Sequence, residues 1–390
     1  MFAKLLERFE DYNIRNYQFG LVIFVTILSV FGAFMVGSAR AGLFERQLMG
    51  VAIGFVAMII VSLIDYKVVL KYSWFFFVAS TLLLAIVLLF GVEVNGARRW
   101  LRIGSEANPI LQFQPSDIAQ IVIIIFFAYF FMRFQRSINK LRTILASGIL
   151  LGPSLFFIYR QPNLSNAITL VIVFCLMLFM AGLSYKIIGL VAAVVIPLFV
   201  VFLLIVVQPN QTLLADYQQD RILAWLNPED FAQTDAYQQL NSVMAIGSGQ
   251  LTGKGFNNDA PTSLKNSNLV PEPHNDFIFA IVGEELGFIG CSIVIILLLL
   301  IVLTCLLIGI RANDLAGRLI CGGMAALIAI QAFINIGVAT FMIPNTGISL
   351  PFVSYGLTSI ISLYIGIGFV LNVGLQPSKQ ANKYPNKYVK

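Results

Sequence analysis

Long apolar runs recur along this chain and leave it few ways to fold. They lie near 18–37, 48–64, 73–91, 118–132, 143–159, 167–182, 187–207, 277–310, 316–342 and 355–374. A run of roughly 17–25 apolar residues crosses a bilayer as a helix. A membrane β-barrel would instead show short segments of alternating polarity. Soluble domains carry about 25% charged residues. Here the fraction is 11%, too low to cover a water-facing surface. The expected fold is an all-α integral membrane protein of about ten transmembrane helices, with a large extracytoplasmic loop before the eighth.

Basic residues orient the spans. Placing both termini in the cytoplasm puts Lys67, Lys71, Arg133, Arg136, Lys140, Arg142, Lys186, Arg311, Arg318 and the terminal basic residues inside, the larger share. The polar stretch 1–17 is then a cytoplasmic N-terminus without a cleavage site, 18–376 the membrane domain and 377–390 a cytoplasmic tail. A net charge of +6 spread over loops fits membrane topology and argues against a nucleic-acid partner. Cys175, Cys291, Cys305 and Cys321 all sit in apolar runs, with no metal spacing and no expected disulfide.

Two outer segments exceed what a connection needs: 92–117 and 208–276. In the second, Ile222, Leu223, Trp225, Leu226, Val243, Met244 and Ile246 argue for an ordered structure. Its glycine-rich GSGQLTGKG lacks P-loop spacing. Those glycines suit close backbone packing or a sharp turn.

Charge gathers at one place, in LVPEPHNDFIFAIVGEELGFIG at 269–290. Asp276 directly precedes an apolar helix, where it could serve as a cap or as a reactive carboxylate. His274 is the sole histidine, and Glu284 and Glu285 lie about two turns into the helix. Ionisable groups at a membrane boundary are costly and point to function. Arg98, Arg99, Arg102, Arg221 and Lys254 offer cations on the same side. A carboxylate beside such cations suits a lipid-linked diphosphate: the carboxylate takes a proton from an acceptor hydroxyl, and the cations hold the departing diphosphate.

Several motifs in order carry a resemblance to a known family: SLIDYK at 62–67, NGARRWL at 95–101, FQPSD at 113–117, DRILAWLNP at 220–228, YQQLNSVMAIGSGQLTGKGF at 237–256, PEPHNDFIFAIVGEELGFIG at 271–290 and PNTGISLPFVSYG at 344–356. Over about 18–376 the chain resembles the SEDS family of RodA- and FtsW-type proteins. That resemblance implies a peptidoglycan glycosyltransferase at the outer face of the bacterial cytoplasmic membrane. It would polymerise lipid II and undecaprenyl-linked glycan among membrane lipids, release undecaprenyl pyrophosphate and work with a class B penicillin-binding protein. It implies Asp276 as the catalytic carboxylate. Arg99, Trp100, Arg221, Lys254, His274 and Glu285 are expected at the substrate, and Asp117, Gln120 and Asn163 as polar cavity residues. No covalently bound cofactor is expected. The resemblance implies a divalent cation, Mg2+ or Mn2+, for which the sequence shows no ligand cage.

The chain departs from the family pattern at two places. Asp117 and Gln120 stand where the family has glutamate and lysine, and Asn163 where it has aspartate. A neutral pair can replace a buried ion pair, so Gln120 and Asn163 are expected to face each other across the bundle. Two other classes remain open at this level: a lipid II transporter, and a weakly active scaffold for the penicillin-binding protein. The near-absence of ionisable groups in spans one to seven weighs against a coupled carrier.

Overall fold

The computed structural model describes residues 17–94, 97–104, 109–208, 211, 216–258, 263 and 273–376. The terminal segments assigned to the cytoplasm lie almost wholly outside this set. Ten helices match the ten apolar runs: α1 (Phe19–Ala39), α2 (Phe44–Leu63), α4 (Ser73–Phe90), α5 (Pro115–Arg133), α6 (Leu141–Arg160), α7 (Leu164–Met180), α8 (Tyr185–Val206), α11 (Ile278–Arg311), α12 (Leu315–Ala339) and α13 (Leu357–Leu375). Nine are long and apolar enough to cross a membrane, and α7 is a shorter apolar helix. The chain is a multi-pass membrane protein. Short helices α3 (Tyr66–Lys71), α9 (Asp216–Leu226) and α10 (Tyr237–Ser248) lie between the spans.

Helices α5, α12 and α13 form the buried middle. Small residues let them close up: Gly50 and Gly54 of α2 leave room for Leu357 and Tyr364 of α13. Phe126 of α5 stacks on Phe77 of α4 at 4.1 Å, and Phe127 meets Phe174 of α7 at 4.9 Å. In contrast, Val206 is the only buried residue of α8, so this helix has an apolar surface on every side.

The segment 92–117, expected as an outer loop, is not plain loop. It holds a three-stranded antiparallel sheet, β1 (Val92–Val94), β2 (Ala97–Gly104) and β3 (Pro109–Phe113). Val92 pairs with Trp100, and Leu101 with Phe113. The sheet feeds directly into α5, where Pro115 at the first position loses no hydrogen bond.

The long segment 208–276 is ordered where described, in part through the apolar residues that suggested it: Ile246 packs against the core, and Ile222, Leu223 and Trp225 are half-buried. Leu226, Val243 and Met244 are exposed. Polar side chains add to the anchoring. Gln239 Nε2 donates to the carbonyls of Val338 and Ile343, each at 2.9 Å, and Ser242 Oγ to that of Ala339 at 2.7 Å. Trp225 Nε1 donates to Phe341 O at 3.3 Å. These bonds reach carbonyls in the last turn of α12, Val338 and Ala339, and in the chain just beyond it, Phe341 and Ile343.

At the opposite end of the bundle, Tyr66 of the SLIDYK motif ties three elements. Its N–H donates to Asn372 Oδ1 and its hydroxyl to Asp314 Oδ2, both at 2.9 Å. Asn372 Nδ2 donates in turn to Ser62 O. Burial and Asp314 push the Tyr66 phenol pKa well above its ordinary value.

Candidate active site

Asp276 stands one position before Phe277, the cap residue of α11, and the Phe277 side chain makes no cap hydrogen bond. Asn335 of α12, fully buried, holds the local backbone: its Nδ2 donates to Asp276 O at 2.8 Å and to Ile348 O at 2.7 Å. The carboxylate faces Gly347, whose φ of +66° fits glycine; a Cβ there would lie 3.2 Å from Asp276 Oδ2.

Asp276 opens onto a cavity of about 260 Å³ at the sheet end of the bundle. Arg99 and Trp100 of β2 line it, as do Asp117 in the first turn of α5, Asn163 and Asn166 at the start of α7, and Gln331 of α12. Tyr355, Thr358 and Ser359 complete the wall beside Gly347. Asp117 sits where a helix N-terminus favours a carboxylate. Arg99 Nε and Asn163 Nδ2 are buried without a hydrogen-bond partner, so the cavity presents unused donors alongside two carboxylates. A second cavity of about 220 Å³, lined by Val69, Phe76, Ile118, Ile121, Val122, Ile125, Ile365 and Phe369, lies along α4, α5 and α13. Its α5 wall starts at Ile118, the neighbour of Asp117.

Helix α11 is broken at Gly287, with φ 63° and ψ −160°. Glu284 and Glu285 lie just before the break, both about 1% exposed. Glu284 Oε1 accepts from Lys254 Nζ at 2.7 Å. Glu285 Oε1 accepts from Ser38 Oγ of α1 at 2.5 Å, and its Oε2 from Asn257 N at 3.2 Å.

Comparison with known proteins places this architecture. The family described as "Cell cycle protein", FtsW/RodA/SpoVE, matches residues 13–379. The chain belongs to this FtsW/RodA/SpoVE family. It is 33% identical to the peptidoglycan glycosyltransferase MrdB of Escherichia coli K12, over 90% of this chain and 92% of that one. It is 33% identical to the probable peptidoglycan glycosyltransferase FtsW of Geobacter metallireducens, over 93% and 95%. Among solved structures, a chain of a peptidoglycan synthase complex superposes with TM-score 0.74 at 27% identity, covering 92% of this chain and 97% of that chain. The rod shape determining protein RodA of Thermus thermophilus gives 0.66 at 25% identity, covering 92% and 96%.

For this family member, the cavity joins five of the expected residues: Asp276, Arg99, Trp100, Asp117 and Asn163. It does not include Arg221, Lys254, His274, Glu285 or Gln120. Lys254 and Glu285 belong to the surroundings of the α11 break. His274 is buried; its carbonyl accepts from Tyr355 N at 2.9 Å and its ring packs edge-on against Tyr355 at 5.8 Å. Arg221 lies on α9, half-buried. Gln120 and Asn163 do not pair. Gln120 Oε1 accepts from Gln331 Nε2 at 3.1 Å, while Gln120 Nε2 and Asn163 Nδ2 both lack partners. The reason is the position of α12: Gln331 reaches both Gln120 and the cavity. Gln331 and Asn335 are one helical turn apart, two amides in the otherwise apolar IAIQAFINIG. That interruption was a readable signal.

Among the described residues, no group of three or more His, Cys, Asp or Glu could cage a metal ion. Mg2+ commonly rests on one or two carboxylates together with substrate phosphates. Asp117, on the cavity wall with Asp276, is the carboxylate that such a shared arrangement would use.

Proposed function

We propose that this chain is a peptidoglycan glycosyltransferase that polymerises lipid II at the outer face of the bacterial cytoplasmic membrane, with the Asp276 cavity as its active site. One observation carries the reading: Asp276 shares a single cavity with the partnerless donors of Arg99 and Asn163. In the transfer, the acceptor hydroxyl oxygen bonds to the anomeric carbon of the donor sugar. The bond from that carbon to the diphosphate oxygen breaks. The hydroxyl proton passes to the Asp276 carboxylate, and the diphosphate leaves with the bonding electrons. Arg99 meets that developing charge, its planar fork matched to phosphate oxygens. Asp117 would hold a divalent cation against the diphosphate, where the ion would neutralise leaving-group charge.

The apolar cavity along α4, α5 and α13 supports this reading, since it could take a polyprenyl chain whose diphosphate rests near Asp117 and Arg99. Both termini are assigned to the cytoplasm on the bias of basic residues. The likeness to a peptidoglycan synthase complex supports a crosslinking partner, which we assign to the class B penicillin-binding proteins.

The test is lipid II polymerisation by the purified protein, alone and with its cognate penicillin-binding protein. Wild type is expected to make glycan strands. Asp276→Asn, equally folded, is expected to make none. Equal activity of the two would remove Asp276 as the base. Inactivity of wild type even with the partner would favour lipid transport or scaffolding.

A further inference from the structure

We infer that Lys254 is a positioning residue for Asp276, acting through a clasp between residues 250–257 and the break in α11, and not a cation that touches substrate. This rests on the glycosyltransferase reading above. In an unbroken helix, Phe288 N–H would donate to Glu284 O and Ile289 N–H to Glu285 O. Gly287 removes both bonds, and the loop replaces all four half-bonds. Phe288 N donates to Gln250 O at 2.8 Å and Ile289 N to Leu251 O at 3.2 Å. Lys254 N donates to Glu284 O at 2.9 Å and Gly255 N to Glu285 O at 3.0 Å. The loop thus completes the ladder that the helix lacks, and the glycines of GSGQLTGKG allow the approach.

The side chains lock the same joint. Glu284 and Glu285 are adjacent, buried carboxylates. Two such charges side by side are costly unless neutralised. Lys254 supplies an ammonium bonded to Glu284, and Ser38 and Asn257 donate to Glu285. From Phe277 to Glu285 every residue is buried. This half-helix therefore behaves as a short rigid bar with the clasp at one end and Asp276 at the other. A shift at the clasp moves the carboxylate in its cavity. Lys254 itself does not line that cavity.

The experiment compares wild type with Lys254→Gln, Glu284→Gln, the double variant and Lys254→Arg, as full-length protein with its cognate penicillin-binding protein. It reads kcat and KM for lipid II polymerisation, and hydrogen exchange over 276–289. Each single neutral variant is expected to lower kcat about 100-fold with little change in KM, the scale of an ångström-sized misplacement. Exchange over the half-helix is expected to rise. The double variant should regain at least about tenfold in kcat and recover protection, because a neutral hydrogen-bonding pair can replace a buried ion pair. Lys254→Arg should stay close to wild type. The inference is overturned if Lys254→Gln raises KM with exchange unchanged and the double variant stays as impaired. A double variant that folds no better than Lys254→Gln overturns it as well. If wild type makes no glycan, the glycosyltransferase reading fails, while exchange and its rescue still decide the clasp.

Discussion

Replacing Gly253 by alanine puts a methyl group into the tightest point of the clasp. Gly253 has φ +80°, and a Cβ there would run into the Glu285 carbonyl and lie 2.5 Å from Leu286 N. Real Cβ contacts below 3.0 Å are essentially absent. The obstacle is backbone, so the loop must retreat by about 1 Å. That retreat stretches the Lys254 N–Glu284 O and Gly255 N–Glu285 O bonds, now 2.9 and 3.0 Å, past hydrogen-bonding range. Losing two such bonds costs about 2 kcal/mol, overpacking about 1–3 kcal/mol, and the left-handed alanine about 1–2 kcal/mol. The sum is about 4–7 kcal/mol. Gly255 is the control: its φ is +101° but nothing lies within 4 Å of an added Cβ, so Gly255→Ala carries only the conformational cost of about 1–2 kcal/mol. Equilibrium unfolding of both variants in mixed micelles should separate them by at least about 3 kcal/mol. Equal stability of the two, or a Gly253→Ala protein within about 1 kcal/mol of wild type, would refute the close-packed clasp.

Other perturbations test other parts of the site. Gly347→Ala should leave a folded protein whose polymerisation kcat falls about tenfold, since the methyl presses on the Asp276 carboxylate; an unchanged kcat would mean that this contact does not place the base. Asn335→Ala strips donors from the buried carbonyls of Asp276 and Ile348 and should cost about 2–5 kcal/mol by thermal unfolding. Tyr66→Phe removes the hydrogen bond to Asp314 and should lower stability by about 1.5–3 kcal/mol at neutral pH. The sign of its pH dependence follows from a folded-state phenol pKa raised above the unfolded value. Protonated Tyr66 stabilises fully below about pH 10, and that contribution is lost as pH climbs above it; unfolding measured across this range should show the loss in wild type and not in Tyr66→Phe.

Particular residues show which parts of this protein were readable in advance. The ten spans were legible because each depends on a local count of apolar residues. Asp276 stood out because charge is rare in this chain, and it lies on the cavity wall. Arg99 and Trp100 followed from a motif, and the structure places both on the cavity. The sheet in 92–117 was not read: its strands are short, and they are flanked by two helices that dominate the pattern. The break at Gly287 was hidden because EELGFIG continues into an apolar run, and a lone glycine inside such a run does not by itself end a helix. The hydrogen bond expected between Gln120 and Asn163 is not made, because complementarity says which residues can pair and not which nearer partner a third helix brings. Helix α12 brings Gln331 to Gln120 instead.

The amino-acid sequence alone determined that this chain must live in lipid, which of its segments are apolar enough to enter it and where its scarce charges lie. These follow from transfer of each segment between water and hydrocarbon, which is a local property. The tertiary structure decided which polar groups come together. Arg99, Asn163 and Asp276 come from widely separated elements, yet they line one cavity. Lys254, an apparent partner of Asp276 in the chain, is instead bonded to Glu284 at the helix break. Such choices depend on helix packing and on satisfying every buried backbone group, and neither is visible in a window of sequence.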